Sequence, residues 1–426
     1  MTDTLAAERQ RLRSLSRSDL ELLQFDRLRE LLSRVLPANP FYASKFANRT
    51  QPLAHLDEFK TWPATTKREL CEAAQSDPRI LHTFSDAEYT HVHRTSGTMG
   101  PPLYVSDTSA DWQWWVNTWQ FVLDAADIRA GDCALMAFSF GPFIGFWSAR
   151  DALTNRGVRV IPTGGMSSSA RLDCLRAVSA TLVCCTPTYA LRLAEVAEEQ
   201  NVDLRSLPVR TLIVAGEPGG SIPEVRARLE EAWAADVVDH AGATEVGPWG
   251  YADPARTGLH IIESEFIAEF LPWSGVDGAP SAACYELVLT ALGRFGFPCI
   301  RYRTGDLVRL DDFAAKDSRE TGFQFLPGGV SGRIDEMLTV RGVNVFPSAI
   351  ESLVRSVEPR GEFRIVSRKG NSLVECRVCV ETDESSADQI AELLERGLGL
   401  RIPVETVPRG SLSRSETKAR RLQWET

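Results

Sequence analysis

At 426 residues the chain has room for two or three domains, or for one large domain with a small appendage. With 43% hydrophobic and 24% charged residues it has the composition of a soluble globular protein, and no apolar run is long enough to suggest a transmembrane helix. The net charge of −10, from 47 basic and 57 acidic residues, argues against nucleic acid or an anionic membrane as partner. It leaves room for a phosphate-bearing small molecule, which needs only local positive potential.

The N-terminal stretch carries Asp3, Glu8, Asp19 and Glu21 among its arginines and has no compact apolar core, so no signal peptide is expected. Nine cysteines then read as reduced thiols in a cytoplasmic protein rather than as a disulfide framework. Residues 19–36 predict an amphipathic helix. Asp19 is a candidate cap, Phe25, Leu28, Leu32, Val35 and Leu36 mark one face, and Pro37 follows its end.

From about 60 to 330, apolar strand-like runs at 133–138, 158–161, 181–184 and 211–215 alternate with helix-like stretches such as 189–199 and 222–235. That rhythm predicts βαβ units and a mostly parallel sheet. A more β-rich portion follows, with 285–290 as its clearest strand. Near Gly328-Gly329 the pattern changes. Residues 347–354 read as helix, 373–380 as strand and 387–397 as helix, a short α+β unit. The fold class expected is therefore α/β: a large N-terminal domain with mostly parallel sheets and a β-rich portion over 1–334, and a small α+β C-terminal domain over 335–426. Cys376 and Cys379 have a metal-like spacing, but on a strand an offset of three puts the thiols on opposite faces. Structural zinc is not expected.

Five short stretches can carry chemistry. Thr95-Ser96-Gly97-Thr98-Met99-Gly100 joins two β-like runs, and its hydroxyls and glycines can wrap a phosphate. It lacks the Gly-Lys-Ser/Thr ending of the strand–loop–helix phosphate loop, and such a loop is often only a hairpin connection. In the stretch from Asp239 to Glu245, a carboxylate following a hydroxyl can hold Mg²⁺ on a nucleotide. Read alone, the same residues are a helix start with Thr244 as cap. Asp306, in Tyr302-Arg303-Thr304-Gly305-Asp306, reads as a turn carboxylate able to accept two hydrogen bonds from a ribose diol. Gly332-Arg333-Ile334-Asp335 lies at the composition shift, where a hinge would sit. The basic run 413–421 reads by composition as a solvated tail.

The order of these stretches says more than any one of them. Thr-Ser-Gly-Thr-x-Gly, Gly216-Glu217-Pro218, Gly242-x-Thr244-Glu245, Tyr-Arg-Thr-Gly-Asp306, Gly-Arg333-x-Asp335 and a lysine near the C-terminus together resemble the adenylate-forming superfamily. Asn39-Pro40-Phe41-Tyr42, Ala215-Gly-Glu-Pro218 and the stretch from Arg341 to Glu351 resemble its phenylacetate–CoA ligase branch. The resemblance implies a two-step ligase. A carboxylate attacks the α-phosphate of ATP to give an acyl-adenylate and pyrophosphate. The small domain then rotates and coenzyme A takes the acyl group, with AMP released.

By the same resemblance, Thr95, Ser96, Gly97, Thr98 and Gly100 hold the β- and γ-phosphates. Glu245 supports Mg²⁺, and Thr244 lies near the α-phosphate. Gly216, Glu217 and Pro218 line the adenine together with Asp239, His240, Ala241 and Gly242. Asp306 takes the ribose hydroxyls with help from Arg333. Asp335 is the hinge, Arg341 and Gly342 line the thiol's approach, and Lys418 contacts the reacting carboxylate and phosphate. Phe138, Phe140, Phe143, Gly164, Gly165 and Ala215 border the acyl pocket.

Two positions depart from the family pattern. Gly100-Pro101-Pro102 replaces Gly-Lys-Pro and removes a phosphate-facing cation. Ala241 replaces an aromatic residue, which removes a stacking surface over the base or makes room for a bulkier acyl group; the second is favoured, because His240 or a nearby phenylalanine can still cover the base. The partners expected are a small aromatic carboxylic acid, ATP and CoA, with no nucleic acid or membrane; a homodimer is compatible with the sequence. Two rival readings remain at this level: transfer of the acyl group to a carrier-protein thiol or an amine, and a non-catalytic aryl-acid-binding relative.

Overall fold

The computed structural model describes residues 2–49, 52–95, 102–138, 141–273, 284–310, 322–340, 343–369, 374–414 and 421–425. The chain begins with helices α1 (Thr2–Arg13), α2 (Arg17–Val35), α3 (Pro40–Lys45), α4 (Leu56–Phe59) and α5 (Lys67–Ser76). A hairpin follows, β1 (Tyr89–Arg94) and β2 (Tyr104–Thr108), and then α6 (Ser109–Ala125). The alternating segment is β3 (Cys133–Met136), α7 (Ile144–Asn155), β4 (Arg159–Pro162), α8 (Ser168–Ala177), β5 (Leu182–Cys185), α9 (Pro187–Glu199), β6 (Thr211–Ala215), α10 (Pro223–Trp233) and β7 (Asp236–Ala243). A β-rich run completes this part: β8 (Gly247–Ala252), β9 (Gly258–Ile261), β10 (Phe266–Pro272), β11 (Cys284–Ala291), β12 (Tyr302–Arg309), β13 (Phe325–Pro327) and β14 (Val330–Arg333). The C-terminal part comprises β15 (Leu338–Val340), β16 (Val343–Val345), α11 (Pro347–Val357), β17 (Phe363–Lys369), β18 (Val374–Val380), α12 (Glu384–Leu398), β19 (Val404–Thr406) and β20 (Leu422–Glu425).

Among the described residues the largest sheet has eight strands in the order β13-β9-β8-β7-β6-β5-β3-β4. From β4 to β7 every pair is parallel, and from β7 to β13 every pair is antiparallel. The inner parallel strands β3, β5 and β6 are buried on both faces and read as continuous apolar runs, which is why their positions were visible in the sequence. A second, antiparallel sheet has the order β10-β11-β12-β14. The C-terminal sheet, β19-β18-β17-β20, encloses a core of its own with α11 and α12, built on Ile350, Val354, Phe363, Ile365, Val378, Ile390 and Leu394.

Several expectations shift in detail. α2 is capped by Ser16, whose side chain accepts from Asp19 N, and Asp19 sits in the first turn as a favourable charge. No helix starts at Thr244: Thr244–Val246 is the turn of the β7–β8 hairpin. Gly247, at φ +127°, closes it where a Cβ would stand 2.9 Å from Trp114. Asp306 lies inside β12 rather than in a turn. Gly305, at φ +74°, makes a local irregularity in its pairing with β11. On β18, Cys376 is buried and Cys379 is half-buried on the other face, with its thiol 3.6 Å from Glu405 Oε2. The ends of the basic run are not solvated: Arg414 and Arg421 both sit in ion-pair networks. No helix among the described residues is long and apolar enough to cross a membrane.

Candidate active site

Because β3, β4, β5, β6 and β7 are parallel, their C-terminal ends share one edge of the sheet, the usual place for a ligand crevice in an α/β fold. Onto that edge the chain delivers Phe138 after β3, Gly164 and Gly165 after β4, the strip from Ala215 to Pro218 after β6, and Asp239 to Gly242 at the end of β7. Gly216 takes φ +94°, which favours glycine and lets the chain turn out of β6. Glu217 Oε1 then accepts the Thr188 amide at 2.8 Å, fixing the strip to the first turn of α9.

Asp239 is half-buried beside this strip. It accepts hydrogen bonds from the Ser221 hydroxyl and from the His240 amide. Burial outweighs them and pushes its carboxyl up to about 6. His240 lies 2.8 Å through Nδ1 from the Gly250 carbonyl, and its ring meets Trp119 edge-on at 4.7 Å. A carbonyl only accepts, so Nδ1 carries the proton and Nε2 is left as an acceptor. Burial lowers the His240 pKa to about 4, so the ring is neutral near pH 7. A Cβ on Gly242 would stand 3.1 Å from the Gly247 carbonyl and 3.5 Å from His240 Nε2, a tight fit against the hairpin backbone.

The Thr244–Glu245 turn is held from below by residues that no local motif marks. Arg294 is fully buried (0% exposed). It donates to both oxygens of Asp107, at 2.7 and 2.9 Å, and to the carbonyls of Glu245 and Thr244, at 2.8 and 3.1 Å. Asp107 comes from β2, directly after the candidate phosphate loop, so this pair ties the loop's return strand to the metal-binding candidate. The Glu245 carboxylate is 6% exposed and lies 3.0 Å from Lys67 Nζ, on the first turn of α5. Lys67 thus places a cation beside the Glu245 carboxylate.

The third group forms between β12 and β14, where Asp306 pairs with Arg333 in register. Arg333 Nη1 reaches Asp306 at 2.7 Å, and its Nε and Nη2 reach Asp335 at 2.9 and 3.2 Å. Burial pushes the Asp306 carboxyl up to about 6 against the opposing pull of Arg333, and Asp335 and Glu245 add to the rise. Asp306 therefore feels the charge of Glu245. For Arg333, burial disfavours the cation, but Asp306 and Asp335 prevail and push its pKa up.

Of the remaining candidates, Thr95 is buried at the mouth of the β1–β2 hairpin. Its amide donates to Leu103 O and its hydroxyl accepts from Leu103 N, both at 3.0 Å. Phe138 is half-buried and its carbonyl accepts from Arg171 at 3.2 Å. Phe143 is 43% exposed and packs under the Arg94 guanidinium, 5.8 Å away. Gly165 is open, with nothing within 4 Å of a Cβ. Ser96, Gly97, Thr98, Gly100, Phe140, Arg341, Gly342 and Lys418 lie outside the described residues.

Comparison with known proteins identifies relatives of the whole chain. A family profile for the AMP-binding enzyme C-terminal domain matches residues 342–423. The phenylacetate-coenzyme A ligase of Pseudomonas putida is 30% identical over 93% of this chain and 92% of its own length. That of Escherichia coli K12 is 31% identical over 95% and 94%. Among solved structures, 2-hydroxyisobutyryl-CoA ligase in its postadenylation state superimposes with a TM-score of 0.88 at 26% identity, covering 97% of this chain and 91% of that one. In its thioesterification state, with the same identity and coverage, the TM-score is 0.71.

Proposed function

The chain belongs to the phenylacetate–coenzyme A ligase family of AMP-forming acid–CoA ligases, and from that membership we propose its substrate class and the work of its residues. The enzyme joins a carboxylic acid to coenzyme A through an acyl-adenylate, with ATP and Mg²⁺. The substrate proposed is a planar aromatic acid, benzoate-like or arylacetate-like. The acid specificity of the phenylacetate ligases supports it. So does the small-residue wall of Ala215, Ala241 and Gly250 beside the Trp119–His240 ring pair.

The observation that carries the assignment of roles is the pair of ion pairs Lys67–Glu245 and Arg333–Asp306, with Asp306 within reach of the Glu245 charge. The acid is ionised at pH 7, so no base is needed to activate it. Two anions must meet, and the dominant requirement is positive charge around the developing phosphorane. Lys418 supplies it at the reacting oxygens, and Lys67 supports the phosphates. Asp306 accepts the ribose hydroxyls while Arg333 holds its carboxylate in place. His240 Nε2 accepts from the adenine amino group. Thr95, Ser96, Gly97, Thr98 and Gly100 wrap the outer phosphates.

The Glu245 carboxylate, almost buried beside Lys67, fits a hard cation. Mg²⁺ bound there with the nucleotide would neutralise phosphate charge. Residues 335–426 act as a mobile domain hinged at Asp335. Its rotation withdraws Lys418 and brings Arg341 and Gly342 to the thiol's path. The test is exchange of labelled pyrophosphate into ATP across phenylacetate, benzoate, 2-hydroxyisobutyrate and decanoate. An aromatic acid should be fastest; faster exchange with decanoate than with both aromatic acids rejects the substrate class.

A further inference from the structure

One face of α9 carries Thr188, Leu191, Arg192 and Glu195 at helical spacing, and it faces the C-terminal part across a cavity of ≈ 10 Å³. The first turn of that helix holds Glu217 of the nucleotide strip. Two turns later, Glu195 accepts from Arg414 Nε at 3.3 Å, with the two side chains 25% and 24% exposed. Arg414 is itself held by two bonds to Glu381, at 2.9 and 2.8 Å, and that carboxylate also takes the Leu412 amide. The guanidinium is thus fixed on the C-terminal side with one edge presented to α9.

The charge balance around the cavity makes this contact matter. The N-terminal side contributes Arg192 and Arg228, and the C-terminal side Arg355, Arg360, Arg414 and Arg421, with Glu362 as its one acid in the wall. Glu195 is the single carboxylate that the N-terminal side places there. Without its charge the N-terminal side of the cavity presents only guanidinium groups to the C-terminal arginines. Arg228 already shows the strain: burial lowers its pKa to about 10, with Arg355 adding to the effect.

Two further observations give the contact a role. The seam belongs to the arrangement that superimposes better on a relative's postadenylation state than on its thioesterification state. In sequence, Arg414 lies four residues before Lys418, and Arg421, bound to Glu351 and Glu362, lies three after it.

We propose that Glu195 is a positioning residue for adenylation: through Arg414 it latches the C-terminal part against α9 in the first half-reaction, and the latch opens for thioester formation. This rests on the two-step reading above.

The test separates the half-reactions. Pyrophosphate exchange with phenylacetate reads adenylation, and thioester formation from supplied phenylacetyl-adenylate and CoA reads the second step. Glu195→Gln should lower exchange by roughly 2- to 30-fold, the range for a residue that couples two arrangements. It should leave the second step unchanged or faster. Glu195→Asp should restore part of the exchange. Glu199→Gln, which removes only an exposed partner of Arg192, should alter neither step. A readout without turnover is bismaleimide cross-linking of Glu224→Cys with Ser352→Cys, whose parent side chains meet across the seam at 3.0 Å. Glu195→Gln should slow it.

Equal loss in both half-reactions, or cross-linking at the unaltered rate, overturns the latch. If the unaltered enzyme exchanges with no acid, the functional reading fails instead, and the cross-linking rate still decides the latch.

Discussion

Arg294→Gln tests the frame of the site. The side chain is fully buried and joins Asp107 to the carbonyls of Thr244 and Glu245 by four hydrogen bonds. Removing it leaves Asp107 buried without its cation, and burial already pushes that carboxyl above its ordinary range despite Arg294. Breaking a buried pair from one side is destabilising by about 3–5 kcal/mol. Asp107→Asn combined with Arg294→Gln should recover a large part of that loss, because no uncompensated charge remains. The assay is urea unfolding monitored by tryptophan fluorescence, paired with pyrophosphate exchange under conditions where each variant stays folded. Exchange should fall in both variants, since the Glu245 turn has lost its support. A loss under about 1 kcal/mol for Arg294→Gln, or a double variant less stable than the single one, refutes the reasoning.

Asp306 gives a pH signature. Its folded pKa of about 6 stands above the unfolded value of about 3.9, so its contribution to stability is full below pH 4 and is lost as pH rises through 6. Relative to the unaltered protein, Asp306→Asn should therefore gain thermal stability from pH 4 to 7, and a constant difference over that range contradicts the assignment. Ribose hydroxyls donate to the ionised carboxylate, so AMP measured by calorimetry should bind more weakly at pH 5 than at pH 7. Asp335→Pro should trap the proposed hinge by fixing φ, sparing adenylation more than thioester formation, with Asp335→Ala controlling for the lost Arg333 pair. Equal loss of both steps in a folded variant rejects the hinge.

The inner parallel strands β3, β5 and β6 were legible because burial on both faces writes itself as apolar runs, and 211–215 matches β6 end to end. The hairpin under the phosphate loop was legible from its two β-like runs. The Thr244–Glu245 turn was harder, because Thr followed by Glu is also the pattern of a helix cap. Only the antiparallel pairing with β8 and the left-handed Gly247 decide between the two. Arg294 and Lys67 had no local signal at all: Asp107 lies 187 residues before Arg294, and tertiary folding alone brings Lys67 to Glu245. The basic run at 413–421 looked solvated for the same reason. Its carboxylate partners, Glu195, Glu351, Glu362 and Glu381, lie far away in sequence. The irregularity at Gly305 was read as a turn because a glycine in a strand and a glycine in a turn look alike without the neighbouring strand.

The most direct test of the two-step account is the pair of half-reactions in Lys418→Ala. Removing one transition-state donor should lower acyl-adenylate formation from ATP and phenylacetate by about 10²–10³-fold. Thioester formation from supplied phenylacetyl-adenylate and CoA should continue at a near-normal rate, because the lysine has rotated away by then. Arg420→Ala controls for simple loss of positive charge in the same segment. If Lys418→Ala forms the adenylate at the unaltered rate, another cation carries the chemistry and the account is wrong.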